Sequence, residues 1–328
     1  MSVIEVKNLS KIYEYYKKQP GLKASIVGLF KREKLFTEAV RGIDFEIKEG
    51  ELVGFIGPNG AGKTTTLKML SGILYPSSGK AEVLGYTPWK RQREYQKQFA
   101  LVMGQKNQLW WDLPAMESFI LNKEIYEVPD DKFYSNLNEL LELLDLKDVV
   151  DIQVRKLSLG QRMKCELVAA LLHSPKILFL DEPTIGLDVI AQKNIRDFIK
   201  KYNKKNKTTI ILTSHYMEDI KELCERIIII DSGKIVYDGS LDDVIKKYAP
   251  YKELKITFNK GGVTKEQIEE YGKLDKFDSH SVILRVKREK VKEAAARVLA
   301  SDMPVDDILI DEVDIQRVIR RIFKNHKK

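Results

Sequence analysis

The stretch Gly57-Pro58-Asn59-Gly60-Ala61-Gly62-Lys63-Thr64-Thr65 decides the fold. It follows a continuous apolar run, Leu52-Val53-Gly54-Phe55-Ile56, which reads as a buried strand of a parallel sheet. A helix is expected next, beginning near Lys63 and stopped by Gly72. Gly57, Gly62, Lys63 and Thr64 fit the spacing G-x-x-x-x-G-K-[ST], and each residue type has a mechanical reason. Gly57, Gly60 and Gly62 let the backbone take conformations closed to residues with a Cβ, so that successive N–H groups point into one concavity. A phosphate fits that concavity. The helix adds the positive end of its dipole, Lys63 can reach β- and γ-phosphates, and the Thr64 hydroxyl can ligate Mg²⁺.

Average residue usage produces this pattern in on the order of one chain per hundred of this length, so the loop alone does not decide function. A second strand does. Ile177-Leu178-Phe179-Leu180 is apolar and ends in Asp181 and Glu182, two adjacent carboxylates at a strand's C-terminal edge, where ligands of open α/β sheets bind. Asp181 is placed to orient Mg²⁺ and its water shell. Glu182 is placed to align and deprotonate a water for in-line attack on the γ-phosphorus. A cation between them offsets their repulsion. Between the two motifs lies Leu157-Ser158-Leu159-Gly160-Gln161, a turn opening an amphipathic helix expected over Gln161 to Leu172. Its N-terminus can offer N–H groups to phosphate, and Ser158 also suits an ordinary N-cap.

With these strings in this order, the chain resembles the nucleotide-binding subunits of ATP-binding cassette (ABC) transporters, from about Val3 to Gly239. The resemblance implies a P-loop NTPase of the ABC ATPase type: an α/β fold with a parallel sheet core, an antiparallel β arm and an α-helical subdomain. It further implies ATP and Mg²⁺ as cofactors. Gln105, after the apolar run Phe99 to Met103, matches the Q-loop glutamine that in relatives contacts Mg²⁺ and the attacking water. Gly186-Leu187-Asp188 matches the D-loop, His215 the switch histidine that holds the γ-phosphate, and Tyr13 the aromatic on which adenine stacks. Thr64, Gln105 and Asp181 form the implied metal set, Asp181 through water. Ser158, Leu159, Gly160 and Gln161 match the signature, which in this family completes the ATP site of the facing subunit. Leu159 departs from the usual glycine there.

One Walker loop and one signature imply that two copies, or this chain with a sister, close head to tail around two ATP molecules. The strings LSLGQRMKCEL and DEPTIGLDV are similar to subunits that pair with an ABC-2 type permease, including daunorubicin-resistance-like exporters. The function so implied is ATP-driven export of a drug-like or other small molecule through a separate transmembrane permease. The alternative is a soluble cassette ATPase acting on nucleic acid or ribosomes, which the basic balance supports. Against it, the chain has neither two cassettes nor coiled coils nor zinc-type cysteines.

The chain has 328 residues, 43% of them hydrophobic, and a formal net charge of +8, enough for two domains. No run of about eighteen apolar residues occurs, so a permease would be another chain. The start, Met1-Ser2-Val3-Ile4-Glu5, lacks a secretory pattern, and the expected place is cytoplasmic, peripheral on the inner membrane face. Cys165 and Cys224 have no ligand spacing and read as small buried hydrophobes. Residues 21–36 carry Leu22, Ile26, Leu29 and Phe30 at helical spacing among Lys23, Lys31, Arg32 and Lys34. This basic amphipathic helix would lie on the membrane or permease, or pack on the cassette's own sheet. Trp110 and Trp111 follow the Q-loop and would line the groove that receives a permease helix, or pack within the helical subdomain.

The expected domains are 1–240, the nucleotide-binding domain with its helical subdomain at about 105–172, and 241–328, a small α+β appendage. In the appendage, strands Glu253–Phe258, Ser281–Val286 and Asp307–Ile310 alternate with helices Thr264–Tyr271, Arg288–Leu299 and Ile315–Phe323. Its basic end, with Arg317, Arg320, Arg321 and Lys324, reads as a solvated helix face. The transported compound cannot be read from this chain.

Overall fold

The computed structural model describes residues 1–16, 34–260, 263–313 and 315–326. It divides into two compact units, Met1–Gly239 and Ser240–Lys328. No helix among the described residues is long and apolar enough to cross a membrane.

The first unit begins with β1 (Ser2–Tyr16), β2 (Lys34–Lys48) and β3 (Leu52–Ile56), then α1 (Lys63–Leu70), β4 (Ser78–Val83), α2 (Arg93–Gln96) and β5 (Phe99–Met103). Three helices follow, α3 (Ala115–Tyr126), α4 (Asp130–Leu144) and α5 (Leu159–Leu171). The rest alternates strand and helix: β6 (Ile177–Asp181), α6 (Val189–Asn206), β7 (Thr209–Thr213), α7 (Met217–Leu223), β8 (Arg226–Asp231) and β9 (Lys234–Ser240).

The central sheet has the order β5-β6-β7-β3-β8-β9, and β5 through β8 in that order pair in parallel. Parallel strands are covered on both faces, which is why β3, β6, β7 and β8 read as unbroken apolar runs. The arm is a separate antiparallel sheet, β2-β1-β4. Along β2, buried Val40, Ile43, Phe45 and Ile47 present one side to the core, and the Phe45 ring meets Phe55 of β3 at 5.9 Å between centroids. Helix α1 adds Leu67, Met69 and Leu70 to the same core.

Two expectations change here. The amphipathic helix assigned to 21–36 lies outside the described residues up to position 33. Its last residues, Lys34, Leu35 and Phe36, are strand and pair with Tyr16, Tyr15 and Glu14 of β1. Ladder hydrogen bonds and a 2.8 Å Lys34–Glu14 ion pair override the helical spacing there. The signature helix starts at Leu159, two residues earlier than expected, because Ser158 caps it. Its Oγ accepts from Gln161 N at 3.1 Å, and Gln161 Oε1 accepts from Ser158 N at 3.0 Å.

The second unit opens with α8 (Leu241–Tyr248) and continues β10 (Tyr251–Phe258), α9 (Lys265–Glu269), β11 (Lys273–Phe277), β12 (Ser281–Lys287), α10 (Val291–Leu299), β13 (Val305–Glu312) and α11 (Ile315–His326). Its sheet order is β11-β12-β10-β13, all antiparallel. The β-α-β-β-α-β run with this order is the ferredoxin-like split motif. Leu254, Ile256, Val282 and Leu284 form its core with Ile268 of α9 and Val298 of α10. Arg317 departs from the solvated face expected for it: its Nη1 lies 3.0 Å from both Glu253 Oε1 and Asp275 Oδ2.

Candidate nucleotide site

Strand register gathers the site. Met103 pairs with Asp181, Asp181 with Thr213, and Thr213 with Phe55, so β5, β6, β7 and β3 end side by side. The segments that follow them carry Gln105, Glu182, His215 and the loop 57–65 to one sheet edge.

The loop's shape depends on its glycines. A Cβ on Gly57 would stand 2.3 Å from the Ile230 carbonyl oxygen. Gly62 has a φ of +111°, and a Cβ on it would stand 2.5 Å from the Ala39 carbonyl oxygen. Gly62 is also the N-cap of α1 and supplies no side-chain acceptor, so first-turn amides remain available to an anion. Pro58, Asn59 and Gly60 are exposed, Ala61 is buried, and Thr65 is half-buried at the start of the helix.

Lys63 is only 6% exposed, and its Nζ donates to the carbonyl oxygens of Gly57 at 2.7 Å and Pro58 at 3.1 Å. Burial pushes its pKa down, opposed by the nearby Glu182 and Asp181 carboxylates. A buried ammonium held mainly by neutral carbonyls is an anion site: bringing a phosphate to it recovers the charge pairing that burial took away. Thr64 Oγ1 donates to Asp181 Oδ2 at 2.8 Å, which sets hydroxyl and carboxylate oxygens together as a hard cation requires.

Glu182 sits at φ +58°, in the left-handed region, at a cost of about 1–2 kcal/mol. Its N–H donates to Thr213 O at 3.0 Å and to Thr213 Oγ1 at 3.1 Å, which hold the turn. Its Oε1 meets His215 Nε2 at 2.7 Å, while Oε2 is buried with no hydrogen-bond partner among the described residues. That free oxygen is available to a water or a hydroxyl. Gly104, immediately before Gln105, donates its N–H to Asp181 O at 2.9 Å, and a Cβ on it would stand 2.1 Å from Glu182 O. Gln105 itself is exposed on the turn after β5.

Tyr13 lies exposed on β1, paired with Thr37, two residues along β2 from the Ala39 carbonyl that abuts Gly62. Lys11 Nζ stands 5.4 Å from its ring centroid. The signature is gathered elsewhere. Among its neighbours are the D-loop and the first turn of α6: a Cβ on Gly186 would lie 3.2 Å from Leu159 Cδ2, and one on Gly160 3.1 Å from Ala191 Cβ. Asp188 N-caps α6 by accepting from Ala191 N at 2.8 Å. Leu159, Val189 and Ile190 are all exposed.

Three residues at the site have no motif of their own. Thr213 bridges Asp181 and Glu182, and Gly104 admits the Glu182 carbonyl. Asp219, fully buried, accepts from Thr184 Oγ1 and Ser214 Oγ, each at 2.5 Å, and from Arg196 Nη1 at 3.1 Å. A hydroxyl in the string Thr213-Ser214-His215, where a buried strand would ordinarily be apolar to its end, was the available signal for Thr213. Asp219 and Arg196 are 23 positions apart in sequence and offered none.

This geometry defines a class. A buried cation in a glycine loop, with a hydroxyl and carboxylates gathered at the same sheet edge, is the arrangement of a P-loop ATPase. Residues 40–185 match the model of the ABC transporter family, and residues 250–311 match the EvrA-like ABC transporter C-terminal domain. The ABC transporter ATP-binding protein NatA of Bacillus subtilis (strain 168) is 33% identical over 215 residues, 66% of this chain and 87% of that protein. The bacitracin transport ATP-binding protein BcrA of Bacillus licheniformis is 33% identical over 231 residues, 70% of this chain and 74% of that protein. Among solved structures, an ATP-binding subunit of an ABC transporter superposes with a TM-score of 0.62 at 26% identity, covering 75% of this chain and 93% of that one. The chain belongs to the ATP-binding proteins of the ABC transporter family, and its first unit is an ABC ATPase.

Proposed function

We propose that this chain energises export through a separate ABC-2 type transmembrane permease, as one of two cassettes that close head to tail around ATP. Kinship with a bacitracin transport ATP-binding protein supports transport over the nucleic-acid or ribosome alternative. The observation that carries the reading is a divided site. Lys63, Asp181, Glu182 and His215 share one sheet edge, while Ser158 and Leu159 stand exposed against the D-loop. A second copy's triphosphate is the ligand that such an exposed, capped helix N-terminus fits.

In this reading Tyr13 stacks on adenine, and the amides of residues 57–65 with Lys63 hold the phosphates. Thr64, Asp181 and Gln105 would hold Mg²⁺, which when bound would neutralise phosphate charge. Glu182 takes the proton of the attacking water. His215, whose Nε2 lies 2.7 Å from Glu182 Oε1, holds the γ-phosphate beside that carboxylate. Ser158, Gly160 and Gln161 cap the partner's nucleotide, with Asp188 and its exposed neighbours Val189 and Ile190 at the seam. Association with the membrane is peripheral, through the permease. Trp110 and Trp111, both exposed, belong to the surface that the permease engages.

The test is a pair of variants on the purified chain. Glu182→Gln should abolish turnover yet trap an ATP-bound dimer on gel filtration, whereas Lys63→Ala should weaken ATP binding itself. A Glu182→Gln protein that hydrolyses ATP at the native rate, or that stays monomeric at saturating ATP and Mg²⁺, overturns the reading.

A further inference from the structure

Glu166 is the eighth residue of α5, eight positions beyond the signature serine, and no step of hydrolysis uses it. Yet it is 3% exposed, and burial pushes its carboxyl pKa up. A carboxylate is kept in such a place only for what it holds. Its Oε1 accepts from the backbone amides of Gln108 at 2.8 Å and Leu109 at 3.3 Å, while Oε2 is buried with no hydrogen-bond partner among the described residues. Those two amides belong to the segment that leads from the Q-loop turn into Trp110 and Trp111. One turn back on the same helix, the Arg162 guanidinium lies over the Trp111 ring at 4.3 Å, and its Nη2 reaches Leu157 O at 3.5 Å.

The other side of this segment is tied to the same element. Arg155 N donates to Trp111 O and Val154 N to Leu113 O, both at 3.0 Å, and Arg155 Nη1 lies 3.2 Å from Asp112 Oδ1. Residues 154–156 are the single 3₁₀ turn that leads through Leu157 into Ser158. The segment 108–113 is therefore fastened both to the helix that carries the signature and to the turn that enters it.

We infer that Glu166 is a positioning residue that makes the tryptophan segment and the signature N-terminus one body, so that whatever engages Trp110 and Trp111 sets where Ser158 and Gln161 stand. For its biological consequence the inference rests on the permease reading above. The mechanical coupling itself does not, and it can be measured on the isolated chain without ATP or permease.

The experiment is residue-resolved amide exchange on Glu166→Met, which fills the volume without an acceptor, with Glu166→Gln, which keeps an acceptor oxygen, as the rescue. Glu166→Met should speed exchange at Gln108 and Leu109 and, in parallel, at Ser158, Gln161 and Arg162 by about tenfold, the factor that a lost hydrogen bond to a charged group carries. Glu166→Gln should restore most of it. Trp111→Ala, at an exposed position, should speed exchange at Gln161 and Arg162 by removing the Arg162 stack. Own-site affinity for a fluorescent ATP analogue should stay within about twofold in every variant, as a merely destabilised fold would not allow. Exchange that rises at 108–109 alone in Glu166→Met, or signature amides unmoved in Trp111→Ala, overturns the inference. A parent chain that does not dimerise would bear only on the proposed function, because the exchange result is read on the monomer.

Discussion

The buried hydroxyl of Thr213 donates to Asp181 Oδ1 at 2.6 Å and accepts from the Glu182 amide at 3.1 Å, so one side chain of β7 fixes both carboxyl residues at the end of β6. Thr213→Val keeps the shape and removes both bonds. With Glu182 N still bonded to Thr213 O, the fold should survive, but the two carboxylates lose their common reference. ATP turnover should fall on the order of tenfold, as expected for one lost hydrogen bond to a charged group, with KM nearly unchanged. Thr213→Ser should recover most of the rate. A valine variant with native kcat would show that Thr64 alone positions Asp181.

Gly104 is predicted to be as sensitive as any residue that touches ATP. A Cβ there has nowhere to go, at 2.1 Å from Glu182 O, and the strained φ of Glu182 leaves its carbonyl no easy retreat. Gly104→Ala should cost about 1–3 kcal/mol of stability and most of the turnover. Gly60→Ala is the control: its Cβ would meet nothing within 4 Å, and only the φ of +77° is unfavourable, at about 1 kcal/mol. Thermal melts of the two variants side by side would decide the steric cost, and the steady-state rate of Gly104→Ala is read against the native chain, because Gly60 lies in the phosphate loop itself. Equal effects at both positions would mean that the contact with Glu182 is relieved cheaply.

Much of the core was legible because parallel strands buried on both faces leave unbroken apolar runs, as at Leu52–Ile56 and Ile177–Leu180. The loop 57–65 was legible because phosphate binding at a helix N-terminus demands glycines and a lysine at fixed spacing. What the sequence hid depends on partners distant along the chain. The start of β2 was included in a helix because Leu22, Ile26, Leu29 and Phe30 set a helical spacing just before it, and its strand state comes from pairing of Lys34, Leu35 and Phe36 with Tyr16, Tyr15 and Glu14. Strand β11 was missed because it is an edge strand in which Lys273, Asp275 and Lys276 break the apolar alternation. Glu166 and Asp219 looked like ordinary helix charges, and only tertiary packing makes them buried acceptors.

Asp219 and Arg196 should behave as a unit. Arg196 also binds Glu222 Oε2 at 2.9 Å, and Asp219 holds Thr184 beyond Glu182 and Ser214 before His215. Arg196→Met leaves the Asp219 carboxylate buried without a cation and should cost about 3–5 kcal/mol in chemical denaturation, whereas Asp219→Asn, after which Arg196 keeps Glu222, should cost less. The double variant should cost clearly less than the sum, with a coupling of roughly 2 kcal/mol or more. Strict additivity would show that the two charges are stabilised by separate surroundings.

His173 carries a prediction about acid stability. Its ring stacks on Tyr126 with centroids 3.8 Å apart and planes 2° apart, its Nε2 lies 3.2 Å from Phe99 O, and its Nδ1 is buried without a partner among the described residues. Burial pushes its pKa down to about 4 from the ordinary 6.5. Between those values the unfolded chain takes up a proton that the folded chain refuses, so the unfolded state binds more protons and stability falls as pH drops through that window. Above about pH 6.5 both states are neutral at this site and its slope vanishes. The gap corresponds to about 3 kcal/mol lost by the time the folded imidazole titrates. His173→Phe keeps the ring stack and removes the titration. Urea denaturation of both proteins across the window should show the native stability falling relative to the variant by that amount. If the two curves run parallel, the imidazole is protonated in the folded protein and a water or carbonyl reaches Nδ1.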